Sequence, residues 1–255
     1  MEMTKKYELT SETIEFNGVT LHRIKALKNF LAVKKGDFGG WVEKEENLSQ
    51  MGNAWVYSNA KVYGNAKVFG DAQVFANAQA YGNAQVFGEA EVYGNAWVYG
   101  NAKVYGNAEV HGDAQVYGYA KVYNHAEVYG NAMVFGNAQV CGYAQVYGNA
   151  VVCGDAVVYG NAKAYGSSVV YGDAEICGKA VVCDDADYIV FKNFWSSKRY
   201  FTWTRSNNMW KADCFYGTGK ELIEKAYRDG EKSGKEYEKI VRYVDSILAD
   251  DKIVI

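Results

Sequence analysis

The chain has 255 residues, a formal net charge of −3 and five cysteines. No apolar run approaches the ~20 residues that a membrane-spanning helix needs. An odd number of cysteines with no CxxC spacing argues against a disulfide framework and a zinc site alike. The segment Met1-Glu2-Met3-Thr4-Lys5-Lys6 lacks an apolar signal core, so a reducing cytoplasm is the expected setting.

Residues 1–45 predict an N-terminal β cap. Residues 7–9, 13–16 and 20–24 alternate as short strands, and Asn17-Gly18 is a strong hairpin turn between the last two. From Gly52 to Ile189 the sequence then repeats every six residues, without insertion or deletion, through 23 hexads. A further hexad, residues 46–51, fits in front. A period of six is not a helix seam, whose apolar period is 3.5 to 3.6. It predicts a β-solenoid, in which each repeat buries its apolar face by stacking on its neighbours. Counting from Gly52, the third and fifth positions are Ala and Val almost throughout (Ala66, Val68; Ala102, Val104; Ala150, Val152), and alternation puts both inside. The fourth and sixth positions point out, and the Gly-Asn pair turns the corner. Three hexads per coil give a parallel β-helix of about eight three-sided coils over residues 46–189, roughly 38 Å long at the strand spacing.

Residues 190–255 change composition and predict an α+β domain. Residues 188–195 and 199–205 alternate like strands, with Trp203, Trp210 and Phe215 as aromatic bulk. Two helices are signalled by capping boxes, Thr218-Gly219-Lys220-Glu221 and Ser233-Gly234-Lys235-Glu236. Tyr237, Ile240, Val241, Val244, Ile247 and Leu248 form an apolar stripe in the second. Both terminal regions suit the covering of open solenoid edges.

The Asn/Asp-Ala units resemble hexapeptide-repeat, left-handed parallel β-helix proteins, best known from acyltransferases. The stretch Gly36-Asp37-Phe38-Gly39-Gly40-Trp41-Val42-Glu43, followed by Asn47-Leu48-Ser49-Gln50-Met51-Gly52-Asn53-Ala54-Trp55-Val56, resembles the start of YdcK-like repeat proteins, many of them phage or prophage encoded and lacking an assigned activity. The resemblance spans roughly residues 20 to 189 and implies left-handed coiling. The acyltransferase likeness implies an intersubunit site and a trimer, but such enzymes usually carry a catalytic His and a loop that breaks the repeat. This rod has no break.

No catalytic, cofactor-binding or metal-ligating residue can be nominated. His111 takes an outward ring position and His125 a corner position, 14 residues apart and on different walls. Gly217-Thr218-Gly219-Lys220 lacks the remaining residues of a phosphate loop. Along the rod 6 Lys stand against 12 acids, which disfavours nucleic acid. One strip departs from this: Lys67, Lys103 and Lys121 share an outward column beside Tyr105 and Tyr123, a candidate track for a single strand. Outward aromatic columns run on all three walls, which reads as inter-coil packing rather than a binding platform.

The fourth position turns aliphatic toward the end of the rod. Met133, Val151 and Val169 lie 18 apart, hence in one column, with Phe135, Cys153 and Tyr171 beside them. Such a panel is too apolar to stay wet. A second subunit, a target protein or helices folding back from Lys220 to Leu248 are the candidate covers. The expectation is a non-enzymatic interaction or scaffold protein without a cofactor, a homo-oligomer (dimer before trimer) with a further, unidentified protein partner. The phage likeness extends this to binding and inhibiting a host defence complex. A hexapeptide acyltransferase and a nucleic-acid-binding rod are the rivals.

Overall fold

The computed structural model describes residues 5–251. Strands β1 (Tyr7–Phe16) and β2 (Val19–Ala26) form an antiparallel hairpin. Asn17 and Gly18 close it at φ 51° and 79°, the positive pair that a tight two-residue turn favours. β2 pairs antiparallel with β3 (Phe38–Val42), whose Trp41 and Val42 pair parallel with Lys61 and Val62. The parallel ladder therefore starts at Trp41, inside the span expected to be cap.

The rod is a β-solenoid of about eight coils, whose short strands sit at the fourth and fifth hexad positions and pair with the strand 18 residues on. Three walls result. The hairpin wall runs from Lys61–Val62 to Val169–Val170 and joins β1 to β3 in one ten-stranded sheet. The glutamate wall has eight strands, from Trp55–Val56 to Val181–Val182, and the lysine wall seven, from Lys67–Val68 to Glu175–Ile176. Alanine and valine fill the interior without accessible surface, as at Ala102, Val104, Ala120 and Val122. Corner glycines are needed twice over: Gly100 has φ 69°, and a Cβ there would meet the backbone N of Gly118 at 3.0 Å.

Beside the glycines, asparagines form ladders. Asn59, Asn77 and Asn95 each donate an amide hydrogen to the next side chain up, ending at Asp113. A carboxylate accepts but does not donate, so an Asp stops the run.

Each end of the rod is closed by side chains. At the N-terminal end Trp55 lies buried under Tyr7 and Phe30 in edge-to-face contact. Lys6, without accessible surface, donates from Nζ to the carbonyls of Ala54 (2.7 Å) and Gly52 (3.5 Å). Tyr7 donates to Leu48 O, and Asn47 Nδ2 to Ala66 O. At the other end the ladder stops at Val182. One coil earlier, the amides of Val151 and Lys163 reach backbone carbonyls 17 residues on. In the last coil five amides meet side-chain acceptors instead: Val169 N to Asp185 Oδ1, Tyr171 N to Tyr188 Oη, Glu175 N to Thr202 Oγ1, Val181 N to Ser206 Oγ, and Cys183 N to Asp187 Oδ2. The rod thus stops short of Ile189, because Asp185–Asp187 form a 3-10 turn and Tyr188–Lys192 begins the next sheet.

That sheet is antiparallel, with strands Tyr188–Lys192, Tyr200–Thr204, Met209–Ala212 and Phe215–Gly217. Helices α1 (Gly219–Asp229) and α2 (Glu231–Asp251) pack against it, and Phe201, Trp203, Trp210, Leu222, Val241 and Val244 form its core. The apolar stripe of α2 is spent there, so the helices do not fold back over the panel. The Thr218–Glu221 capping box is present, whereas Ser233 lies inside α2, since Gly230 ends α1 and α2 starts at once. No helix among the described residues is long and apolar enough to cross a membrane.

Burial lowers the Lys6 pKa to about 8, with Lys28 adding to the effect. The unfolded chain then holds more protons than the folded one between about pH 8 and 10.5, so this group makes stability rise with pH across that window. The rise amounts to roughly 3 kcal/mol. Melting curves of Lys6→Met should lack the wild-type increment between pH 8 and 10, and equal slopes would contradict the assignment.

Candidate functional site

The outward columns assemble as their spacing predicts. On the hairpin wall Tyr63, Tyr81, Tyr99, Tyr117 and Phe135 stack with centroids 4.8–5.0 Å apart and planes within 9°. On the lysine wall Phe69, Phe87, Tyr105 and Tyr123 do the same at 4.8–4.9 Å. Each ring covers the faces of its neighbours, so the ladders offer edges outward. Lys103 and Lys121 are register partners, and Lys67 and Lys103 both pair with Gln85, so the basic strip exists as a column. Its companions Tyr105 and Tyr123, however, have their inner faces taken, and a base needs a free face to stack on.

The two rod histidines are held in the same way. His111 is sandwiched between Tyr93 (4.6 Å) and Tyr129 (5.0 Å) on the glutamate wall. Burial lowers its pKa against the opposing pull of Glu109 and Glu127. His125 stacks on Tyr143 at a corner, with centroids 4.8 Å apart. Neither sits beside the other.

One column escaped the sequence reading, which counted the rod's acids without placing them. Glu91, Glu109 and Glu127 are successive register partners on the glutamate wall. The signal was their 18-residue spacing. Tyr93 donates to Glu109 Oε2 (2.8 Å) and Gln145 to Glu127 Oε2 (3.0 Å). Burial, with the Glu109 charge behind it, raises the Glu91 pKa. No group of three or more His, Cys, Asp or Glu side chains among the described residues is placed to hold a metal ion.

The hairpin wall is the third chemistry. Met133, Val151 and Val169 are successive partners in its ladder, so the structure brings the panel together with Phe135, Cys153 and Tyr171 beside it. All six keep accessible surface, and Tyr171 is 60% exposed. Burial raises the Cys153 thiol, which acts here as a small neutral side chain. The panel also continues downward through Gln115 to Trp97, 40% exposed. From Tyr63 to Tyr171 the fourth and sixth positions of this wall carry no charge at all, while the other two walls carry lysine and glutamate columns. Charge depletion with aromatic and Met enrichment marks the core of a protein interface.

A cleft of about 310 Å³ lies between the C-terminal sheet and the helices. Its charges answer one another, Arg199 with Asp213 and Lys225 with Asp229, leaving none to recognise a ligand.

Residues 126–142 and 144–160, one coil each, match the YdcK beta solenoid repeat family. None of the curated proteins matches the chain.

Proposed function

For a YdcK-like solenoid repeat protein, we propose a non-enzymatic role: a rigid interaction rod in the cytoplasm that docks a protein on its hairpin wall. The uncharged column from Trp97 to Val169 carries this reading, flanked as it is by stacked rings. Burying a few hundred Å² of such surface contributes several kcal/mol, before association costs, at ~25 cal/mol per Å². The narrower reading, a phage-borne inhibitor of a host defence complex, draws its support from the resemblance of residues 36–56 to phage-encoded repeat proteins.

The test is retention of proteins from a cell extract on immobilised wild type, on Val151→Glu/Val169→Glu, and on a lysine-wall control of equal charge, Gln85→Glu/Gln139→Glu, whose new carboxylates lie beside lysines. Both substitution pairs lie at outward positions, so melting should shift by no more than a few degrees. At least tenfold loss of a retained protein on the hairpin-wall variant alone is expected. Equal retention by all three proteins would refute the assignment of this wall.

A further inference from the structure

We propose that the hairpin wall takes a second copy of this chain, with the two rods parallel and related by a two-fold axis along their length. The proposal rests on the reading of this wall as the contact face, and three observations select the occupant and its direction.

The first is pitch. Rings on this wall recur every 4.8–5.0 Å. A helix offers a ridge every ~5.4 Å and falls half a ridge out of step within about four coils. A rod of the same pitch stays in step along the whole face. The second is size. The wall's seven rod strands span ~34 Å, and with a width of ~15 Å the pair buries roughly 1,000 Å² in all, the lower bound of specific association.

The third is the rim. Two corner files flank the wall, one holding Asp113, Asn149, Ser167 and Asp185, the other Tyr119, Asp155 and Asp173. In an antiparallel pair centred on Val151, each file meets itself in reverse order. Asp155 then opposes Asp155 of the second copy, and Asp113 opposes Asp185. In a parallel pair the files meet each other at equal height. Asp113 then faces the Tyr119 hydroxyl, Asp155 the Asn149 amide, and Asp173 the Ser167 hydroxyl. Opposed like charges are costly and complementary rims set orientation. Tyr119, 65% exposed and a lone ring among the asparagines and aspartates of its file, gains an acceptor by this arrangement.

A two-fold axis along the rods permits no axial slide and exchanges the fourth- and sixth-position columns as it exchanges the corner files, so Met133 faces Phe135 and Val169 faces Tyr171 of the second copy. The antiparallel pair would set Met133 against Val169 and Cys153 against itself. The experiment introduces Met133→Cys with Phe135→Cys, or Val169→Cys with Tyr171→Cys, into Cys153→Ser, then applies a mild oxidant at tens of micromolar protein. Light scattering and far-UV circular dichroism check mass and fold. Covalent dimer from each variant, several-fold above the Cys153→Ser background, is expected. A dimer that links through wild-type Cys153 and through neither introduced pair would overturn the parallel arrangement. A monomeric wild type would overturn the second copy as occupant and leave the wall itself to the retention test. A dimer that survives Val151→Glu/Val169→Glu would overturn both readings.

Discussion

Replacing Ala102 by phenylalanine is expected to lower the melting temperature by about 10 °C or more, or to prevent the rod from forming. Ala102 has no accessible surface, and neither do Ala84 and Ala120, its equivalents one coil below and above, nor Val104 beside it. Adding one or two methylenes to a packed core costs ~1–3 kcal/mol, and a phenyl ring adds far more bulk. The three walls are tied together by bonds between successive coils, so the interior cannot widen in one coil without parting it from its neighbours. Lys103→Phe is the control, one residue along but on the outer surface, and it should melt near wild type. Thermal melts followed by circular dichroism read both. An unchanged Ala102→Phe melt would mean that the inward assignment of the third hexad position is wrong.

The second large effect is expected from cutting the chain at Cys183. That truncation removes Asp185, Asp187, Tyr188, Thr202 and Ser206, the five acceptors that hold amides of the last coil. What remains is a flat end of unpaired strand edges, the template on which another strand edge adds. Water replaces the lost acceptors at this open edge, but pairing with a second open end gives the amides backbone partners and also covers the apolar interior of the last coil. Sedimentation should show the shortened chain in larger species than the full chain at equal concentration. The finer variant Thr202→Val/Ser206→Ala, which keeps the domain, should lower stability without that change in size. A truncated chain that matches the full protein in both size and melting temperature would show that the side-chain cap is dispensable.

The rod was legible because its physics is repeated. The Ala and Val positions recur through 23 hexads with few exceptions, and a glycine marks most of the corners. The ring columns and the panel followed from arithmetic alone. The ends were less legible because each is built once. Nothing periodic marks Lys6 as the donor to Ala54 O, or Thr202 as the acceptor for Glu175 N, since both contacts depend on how a non-repeating segment folds over the edge. The two strands after Asn207 were read as aromatic bulk, although Trp203 and Trp210 are cross-strand partners. The second helix start was misplaced because Gly230 lets α1 and α2 follow without a linker, leaving Ser233 no end to cap. At the surface, the acidic column was missed by counting charges over the whole rod rather than by coil.

Regular stacking also fixes how the chain finds its structure. The amides between coils reach carbonyls 17 residues away, whichever coil is considered. Across 255 residues that is a relative contact order of roughly 0.07, a value typical of helical bundles rather than of sheet proteins. Closing each coil costs the entropy of one short loop, and the next coil adds to an edge already in place. The rod can therefore grow like a zipper from any nucleus. Its repeats, however, are nearly interchangeable, so a growing edge that skipped or doubled one coil would still bury alanine on alanine. Register is decided by the places that occur once, Trp55 under its aromatic lid and the acceptors from Asp185 to Ser206. By the same reasoning, deleting any 18 consecutive residues from the middle of the rod should shorten it by one coil and leave both ends able to close.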